Sequence, residues 1–376
     1  MTKSRNLFRV TRFILLKLPL LFKIFSRFRS PSKRLLIIKT DAIGDYILFR
    51  NFIQTVKESP MYAGYEINLV ANTICQEIAS NYDTPFVTDL YFIRPNELYY
   101  SPIKTLALGW KLFKKNYQVV LQPTYTRTLI NDGLAGLAAA KKTIAFEGDT
   151  EGITEKYKVK TDNFYTQRLI LPVDIYFEFD RSMFFFESIL NHPINLQGPS
   201  IPYITSNTKG IVIFPGAGVL KRTWPSSYFL ELINLIRSRY TQTIYLAGGP
   251  SEIAIGNYLE ENLPPLTVIN LINKTSLTGL IDVIGNAALV ISNETSAIHI
   301  ASATQTPSVC ILGGGHFSRF APYPQHIAFK PTCVYYKMDC YYCNWSCKFI
   351  TADDEPFPCI SNITIQNVWQ TVQNLL

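Results

Sequence analysis

Charge is scarce in this chain of 376 residues: Asp, Glu, Lys and Arg together make up 17% of it, against 47% hydrophobic residues. Such a composition excludes disorder over most of the length, because enough apolar surface can be buried to offset the ordering entropy. Long apolar runs are missing too. No window of 18 apolar residues occurs, and the run from Phe13 to Phe22 is broken by Lys17, so no bilayer-spanning helix is expected. Three catalytic signatures are also absent: the G-x-x-x-x-G-K-[ST] phosphate loop, the H-E-x-x-H zinc helix and the G-x-S-x-G nucleophile elbow. The chemistries built on those motifs go with them. Cysteine is not spread as a framework: Cys75 and Cys310 stand apart, and five more crowd into residues 333–359. That distribution argues for a reducing compartment and against a secreted disulfide scaffold.

What the chain has is room for two domains and a tail, at about 150 residues per domain. Its formal net charge of +8 is confined to one end. Residues 1–34 hold ten Lys or Arg, from Lys3 to Arg34, and no acid, whereas the rest carries 26 basic and 28 acidic residues. A nearly neutral body removes the support for a nucleic-acid-binding face, and no nucleic-acid partner is expected.

The basic end, residues 1–33, reads as an amphipathic arm. On a helical wheel Leu7, Val10, Ile14, Leu18, Leu21, Phe25 and Phe28 fall on one stripe ~80° wide, with Arg5, Arg9, Arg12, Lys23 and Arg27 opposite. That division suits a helix lying in the interface of an anionic membrane. A helix packed on the protein's own surface is the bland alternative. A signal peptide fits less well, because Lys17 and Lys23 interrupt its apolar region and no small-x-small cleavage site follows. Pro19 should kink or divide the helix.

In the body, short apolar runs alternate with helical patterns. Strands are expected at 34–39, 65–71, 118–122 and 143–146, then at 210–214, 243–247, 267–271, 288–292 and 308–312. Pro193, Gly198, Pro199 and Pro202 mark residues 191–209 as a linker. The expected organisation is an arm at 1–33, a first α/β domain at 34–190, the linker, a second α/β domain at 210–332, and a Cys-rich segment with a closing helix at 333–376. Two doubly wound halves would place a site in the cleft at the carboxyl ends of their strands.

Three loops of the second half should share that rim. Phe214-Pro215-Gly216-Ala217-Gly218 is followed by Lys221 and Arg222; Ala247-Gly248-Gly249-Pro250 is followed by Glu252; and Asn293-Glu294-Thr295-Ser296-Ala297-Ile298-His299 opens a helix. A helix N-terminus, hydroxyls from Thr295 and Ser296, and two neighbouring cations suit a diphosphate, with little need for a metal. Gly216-Ala217-Gly218 lacks the third glycine of a dinucleotide fingerprint, which disfavours a dehydrogenase. In the first half, Asp41 and Asp45 sit where the first strand meets its helix, and a carboxylate there can accept the proton of an attacking hydroxyl. Arg127, in a loop after another first-half strand, could meet an acidic acceptor or simply be solvated.

These motifs, in this order, resemble glycosyltransferase family 9, the ADP-heptose:lipopolysaccharide heptosyltransferases and relatives. The residues concerned are Ile43-Gly44-Asp45, Pro215-Gly216-Ala217 with Arg222-Thr223-Trp224-Pro225, Gly248-Gly249-Pro250-Ser251-Glu252, Lys274-Thr275-Ser276-Leu277 and Glu294 through Ala303. The resemblance implies a GT-B fold, two Rossmann-like domains facing a central cleft, with acceptor on the first and nucleotide sugar on the second. It implies an inverting transfer with Asp45 as general base. Arg222 would steady the leaving diphosphate with the turn at Ala217 and Gly218, Glu252 would touch the ribose, and the backbone at Thr275 would meet the base. Glu294, where the family has Asp, would meet the sugar hydroxyls. Thr295, Ser296 and Ala297 would cap the phosphates, with Ser296 standing where the family has Gly. His299 matches a family position and reads equally as a core histidine.

The spacing Cys340-x2-Cys343-x3-Cys347-x11-Cys359 could hold a structural zinc; a disulfide and reduced packing cysteines stay open beside it. Residues 362–376 read as a helix that, by the resemblance, crosses back to the first domain. The expected partners are a nucleotide-diphosphate sugar, a lipopolysaccharide-core or other lipid-linked glycan acceptor, and an anionic membrane surface. The expected location is cytoplasmic, peripheral at the inner face of the membrane. A non-catalytic, membrane-tethered nucleotide-sugar-binding protein is the competing reading.

Overall fold

The computed structural model describes residues 4–30, 32–207 and 209–376; residues 1–3 and 31 of the expected arm, Lys3 among them, and residue 208 of the expected linker lie outside the described residues. The chain forms two compact units, one of residues 1–175 and 180–195, the other of residues 176–179 and 196–376. It therefore enters the second unit briefly at 176–179 before passing into it for good after 195, a path that the composition of residues 191–209 did not reveal.

Unit 1 is built on a parallel six-stranded sheet of β1 (Ser32–Lys39), β2 (Glu66–Asn72), β3 (Asp89–Ile93), β4 (Tyr117–Gln122), β5 (Lys142–Phe146) and β6 (Gln167–Leu169), in the order β3-β2-β1-β4-β5-β6. Leu35 to Ile38 of β1 are fully buried, as a central parallel strand covered on both faces requires. The order turns around between β1 and β4. Unit 2 repeats the plan with β7 (Ile211–Phe214), β8 (Ile244–Leu246), β9 (Val268–Asn270), β10 (Leu289–Asn293), β11 (Ser308–Ile311) and β12 (Thr332–Val334), in the order β12-β11-β10-β7-β8-β9 and again all parallel. Its turnaround lies between β10 and β7. Open sheets of this kind bind ligands beyond the carboxyl ends of the strands at such points.

The Arg5–Ser26 helix differs from expectation in two ways. It runs unbroken through Pro19, and it belongs to the core of unit 1, burying Thr11, Ile14, Leu15, Pro19 and Phe22. It lies against the Leu129–Ala138 helix at two glycines. A Cβ on Gly133 would come within 2.5 Å of Leu15, and one on Gly136 within 2.8 Å of Pro19. This close packing outweighs the hydrogen bond that proline removes. The expected stripe is split as a result: Ile14 goes inside, while Leu7, Val10, Leu21, Phe25 and Phe28 stay exposed. Among the described residues, no helix is long and apolar enough to cross a membrane.

At the other end, the Ile365–Leu375 helix packs Val368, Trp369 and Val372 into the core of unit 2, and Trp224 donates its indole N–H to the Ile363 carbonyl at 2.8 Å. Residues 362–376 thus belong to unit 2.

Candidate functional site

The three loops expected on one rim of unit 2 meet there, and the contacts that join them are specific. β7 lies between β10 and β8, so the turn after β7 touches the loops after both. Asn293, fully buried at the end of β10, donates from Nδ2 to the carbonyls of Pro215 (2.8 Å) and Gly216 (3.1 Å), and its Oδ1 accepts from the Trp224 N–H at 2.9 Å. From the other side, Glu252 reaches over the same turn. A Cβ on Gly216 would sit 2.0 Å from Glu252 Cγ, so only glycine fits there. The Glu252 carboxylate accepts from the Gly249 N–H at 2.8 Å and the Ser251 hydroxyl at 2.7 Å. Gly218, with φ +68°, turns the loop outward in a conformation that side chains resist, leaving it exposed beside half-buried Ala217.

The Ser296–Ala303 helix starts at this junction. Thr295 is its N-cap: the hydroxyl accepts from the Ala297 N–H at 3.3 Å and lies 3.0 Å from the Ser292 hydroxyl. Ser296 is half-buried and Ala297 buried, as a helix end resting on a strand terminus requires. Next to it, Glu294 and Arg222 oppose each other. Burial pushes the Glu294 carboxyl up to about 8, with Arg222 pulling it down, and burial likewise lowers the Arg222 guanidinium. The Arg222 guanidinium lies over the Trp345 ring, 4.5 Å from its centre. Thr275, half-buried, follows the edge strand β9 and precedes Ser276, which caps the next helix by accepting from the Gly279 N–H at 3.0 Å. A convergence of a helix N-terminus, glycine turns and one oriented guanidinium suits a diphosphate anion.

Two residues read as ligand contacts do other work. Lys221 is turned away, its ammonium donating to the Thr351 carbonyl and hydroxyl (3.1 Å each) and the Ala352 carbonyl (3.0 Å). Adjacent residues in a short 3-10 turn point in different directions, so the two cations of the sequence reduce to Arg222 at this rim. His299 is buried, paired through Nδ1 with the Tyr323 hydroxyl at 2.8 Å, and burial depresses it to about 4. Of its two sequence readings, the core histidine is the one with a physical basis in the structure.

The Cys-rich segment serves this rim by packing. All seven cysteines are free thiols, and among the described residues no group of three or more His, Cys, Asp or Glu is placed to hold a metal ion. Trp345, between Cys343 and Cys347, lies against Gly313 and Gly315 after β11, and its Nε1–H donates to His316 Nδ1 at 3.2 Å. The Gly313-Gly314-Gly315 run and Trp345 were legible as residues but not as neighbours. Nothing in the sequence brings Trp345 beneath Arg222.

In unit 1 the two candidate aspartates separate. Asp41 is held at the turnaround of the sheet: Lys39 Nζ lies 3.0 Å from it, and the Thr124 hydroxyl, just after β4, donates to it at 2.7 Å. Lys39 is only 1% exposed, so Asp41 is its counter-ion. Asp45, half-buried, stands in the first turn of the Ile43–Phe49 helix. Arg127 is not available to a ligand. It is fully buried and spends its donors on Asp132 (3.0 Å), Asp162 (2.6 Å) and the carbonyls of Phe146 (3.1 Å) and Glu147 (3.2 Å). Burial alone would lower its affinity for a proton, but Asp132 and the other partners reverse this and leave it raised.

Residues 194–340 match the family model described as glycosyltransferase family 9 (heptosyltransferase). Lipooligosaccharide heptosyltransferase 2 of Haemophilus influenzae is 29% identical over 104 residues, which are 26% of this chain and 30% of that protein. The chain spans 30–54% of the length of the curated relatives it matches. Among solved structures, ADP-heptose lipopolysaccharide heptosyltransferase II of Escherichia coli superposes with a TM-score of 0.67 at 17% identity, covering 91% of this chain and 98% of that one. The E. coli heptosyltransferase WaaC with ADP-2-deoxy-2-fluoro heptose gives 0.64 at 19%, covering 91% and 100%. The fold is the α/β architecture of these GT-B proteins.

Proposed function

We propose that this chain, which belongs to glycosyltransferase family 9, moves a sugar from a nucleotide-diphosphate donor to a lipopolysaccharide-core or similar lipid-linked glycan, with inversion at the anomeric carbon. The observation that carries this reading is the junction in unit 2, where Asn293 and Glu252 lock two glycine turns around the start of a helix, with Arg222 beside it. Arg222, the amides at Ala217 and Gly218, and the helix that begins at Ser296 meet the charge that develops on the departing diphosphate. Thr295 holds that helix end in place. Glu294 binds sugar hydroxyls, Glu252 the ribose and the backbone at Thr275 the base. Asp45 takes the proton of the acceptor hydroxyl as it attacks. The ADP-sugar in the WaaC structure supports an adenine nucleotide and a heptose-like sugar as the first donor to test. The acceptor is taken to lie at the cytoplasmic leaflet, which accords with the exposed apolar face of the Arg5–Ser26 helix.

The test is release of free nucleoside diphosphate from ADP-, GDP-, UDP- and dTDP-sugars in the presence and absence of lipid-linked acceptor. Acceptor-dependent release from one donor is the expected result. Binding of a donor with no release under any condition would establish the non-catalytic reading instead.

Glu294 gives this reading a pH signature. Below about 8 its carboxyl is protonated and can donate to a sugar hydroxyl; above it, the anion competes with the diphosphate for Arg222. Donor KM should therefore climb as pH passes through that value. Glu294→Gln, neutral throughout, should flatten the rise, and a variant that keeps the wild-type profile rules Glu294 out as its source.

A further inference from the structure

Unit 1 carries two neighbouring features that sugar transfer leaves unexplained. The first is the outer face of the Arg5–Ser26 helix, where Val10, Phe13 (60% exposed), Leu21 and Ile24 stand in solvent, with Phe28 (85%) just beyond its end. At 100° per residue these four helical residues lie roughly opposite the buried set of Thr11, Leu15 and Phe22, with exposed Lys17 among them, and Arg5, Arg9 and Lys23 fill the sector on one side. The helix that packs beside it, Pro102–Lys115, exposes Ile103, Leu106 and Trp110 on its own i, i+3, i+7 row. The Trp110 ring lies 6.0 Å from that of Phe22, so the two helices meet here. Exposed apolar surface of this extent marks an interaction site.

The second feature is a groove of about 330 Å³ between the Arg5–Ser26 helix and the Glu155–Thr161 helix. Five cations line it, Arg9, Arg12, Lys17, Lys156 and Lys160, together with Phe13 of the apolar face and Tyr157. No acid lines it. Arg12 is held in place, with Nη1 donating to the Tyr157 hydroxyl at 2.5 Å and its guanidinium 5.5 Å from the centre of that ring. Among the described residues Arg9, Lys17, Lys156 and Lys160 form no ion pair. Five like charges collected at one groove repel each other and call for an anion of high charge density.

We propose that this groove takes the phosphate headgroup of an anionic lipid while the apolar face sharing Phe13 lies among the acyl chains. The occupant is an anionic bilayer, because it alone offers phosphates and hydrocarbon side by side at the depth of one helix. The inference rests on the reading of a membrane-borne acceptor and adds to it a site for the lipid. Two of the groove's cations come from a second helix, so lipid selectivity does not reside in the amphipathic helix alone.

Co-sedimentation of the full chain with phosphatidylcholine vesicles, with and without phosphatidylglycerol, tests it. The wild-type protein should pellet with the anionic vesicles. Lys156→Gln with Lys160→Gln, both remote from the transfer chemistry, should weaken that binding roughly 30-fold, at about a factor of five per lysine, while nucleoside diphosphate release with a soluble acceptor fragment is unchanged. Phe13→Ser with Phe28→Ser should weaken pelleting on both vesicle types. If the double glutamine variant pellets as the wild type does, the groove is not the lipid site and the membrane reading survives. Should the wild-type protein pellet with neither vesicle, both fall together. Displacement from vesicles by millimolar inorganic phosphate would show a free-anion site and overturn the lipid assignment.

Discussion

Asp45→Asn lowers kcat by ~10²–10⁴, the usual contribution of a positioned general base, and leaves nucleoside diphosphate affinity within about twofold. The substitution removes the proton acceptor without changing the shape of the helix start at Ile43. Donor binding is spared because the proposed function assigns the diphosphate contacts to unit 2. The prediction discriminates because Asp41, four residues earlier, is the natural rival. Asp41 neutralises buried Lys39 and accepts from Thr124, so it cannot shed those partners to take a proton. Asp41→Asn would leave an ammonium buried without its counter-ion and should appear first as a loss of stability. Single-turnover rates and calorimetric affinities for the two variants separate the roles. A wild-type kcat for Asp45→Asn would end the assignment of the base.

Arg127→Met costs unit 1 about 3–5 kcal/mol, the range for breaking a buried ion pair by removing one partner. Asp132 is the group left behind. It is fully buried and already raised, desolvation working against its charge and Arg127 in its favour. Without Arg127 its folded-state pKa climbs further above the unfolded value. A group of that kind lends stability below its unfolded pKa and withdraws it as pH rises. The deficit of the variant should therefore be largest at neutral and alkaline pH and shrink on acidification. Urea unfolding across pH measures this. An acceptor-binding arginine would instead raise acceptor KM with no change in the unfolding midpoint, the result that would restore the ligand role.

The same packing argument limits what can be learned from truncation. Removing the Arg5–Ser26 helix would strip Leu15 and Phe22 from the core and expose Gly133 and Gly136, so loss of activity would report unfolding. Exchange of single outward residues is the informative experiment.

Much of the architecture was legible where the signal is local. Central strands such as β1, β7 and β10 carry an apolar run, Leu35–Ile38, Ile211–Phe214 and Leu289–Ile291, because helices cover both faces, and each was readable from a few consecutive residues. The edge strands β3, β6 and β12 were missed. They are short, and at an edge polar residues such as Gln167 and Thr332 face solvent and erase the pattern. Adjacent cations show the limit most clearly. Lys221 and Arg222 have the same claim on a diphosphate by position, and only the backbone turn sends one to the Thr351 carbonyl and the other onto Trp345.

By itself, then, the sequence determined two doubly wound halves, the three loops at one rim, and an aspartate at the first strand-to-helix turn. These follow from backbone preferences and from apolar patterns within a few residues of each position. Only the tertiary structure decided which charged groups stay available. Arg127 is consumed by Asp132 and by Asp162, 35 residues on, Asp41 by Lys39 and by Thr124, 83 residues on, His299 is sealed in the core, and one face of the N-terminal helix is claimed by two glycines more than a hundred residues away. Burial and partner choice are set by the whole packed arrangement, because the free energy of a charge depends on everything that surrounds it, near or far in sequence.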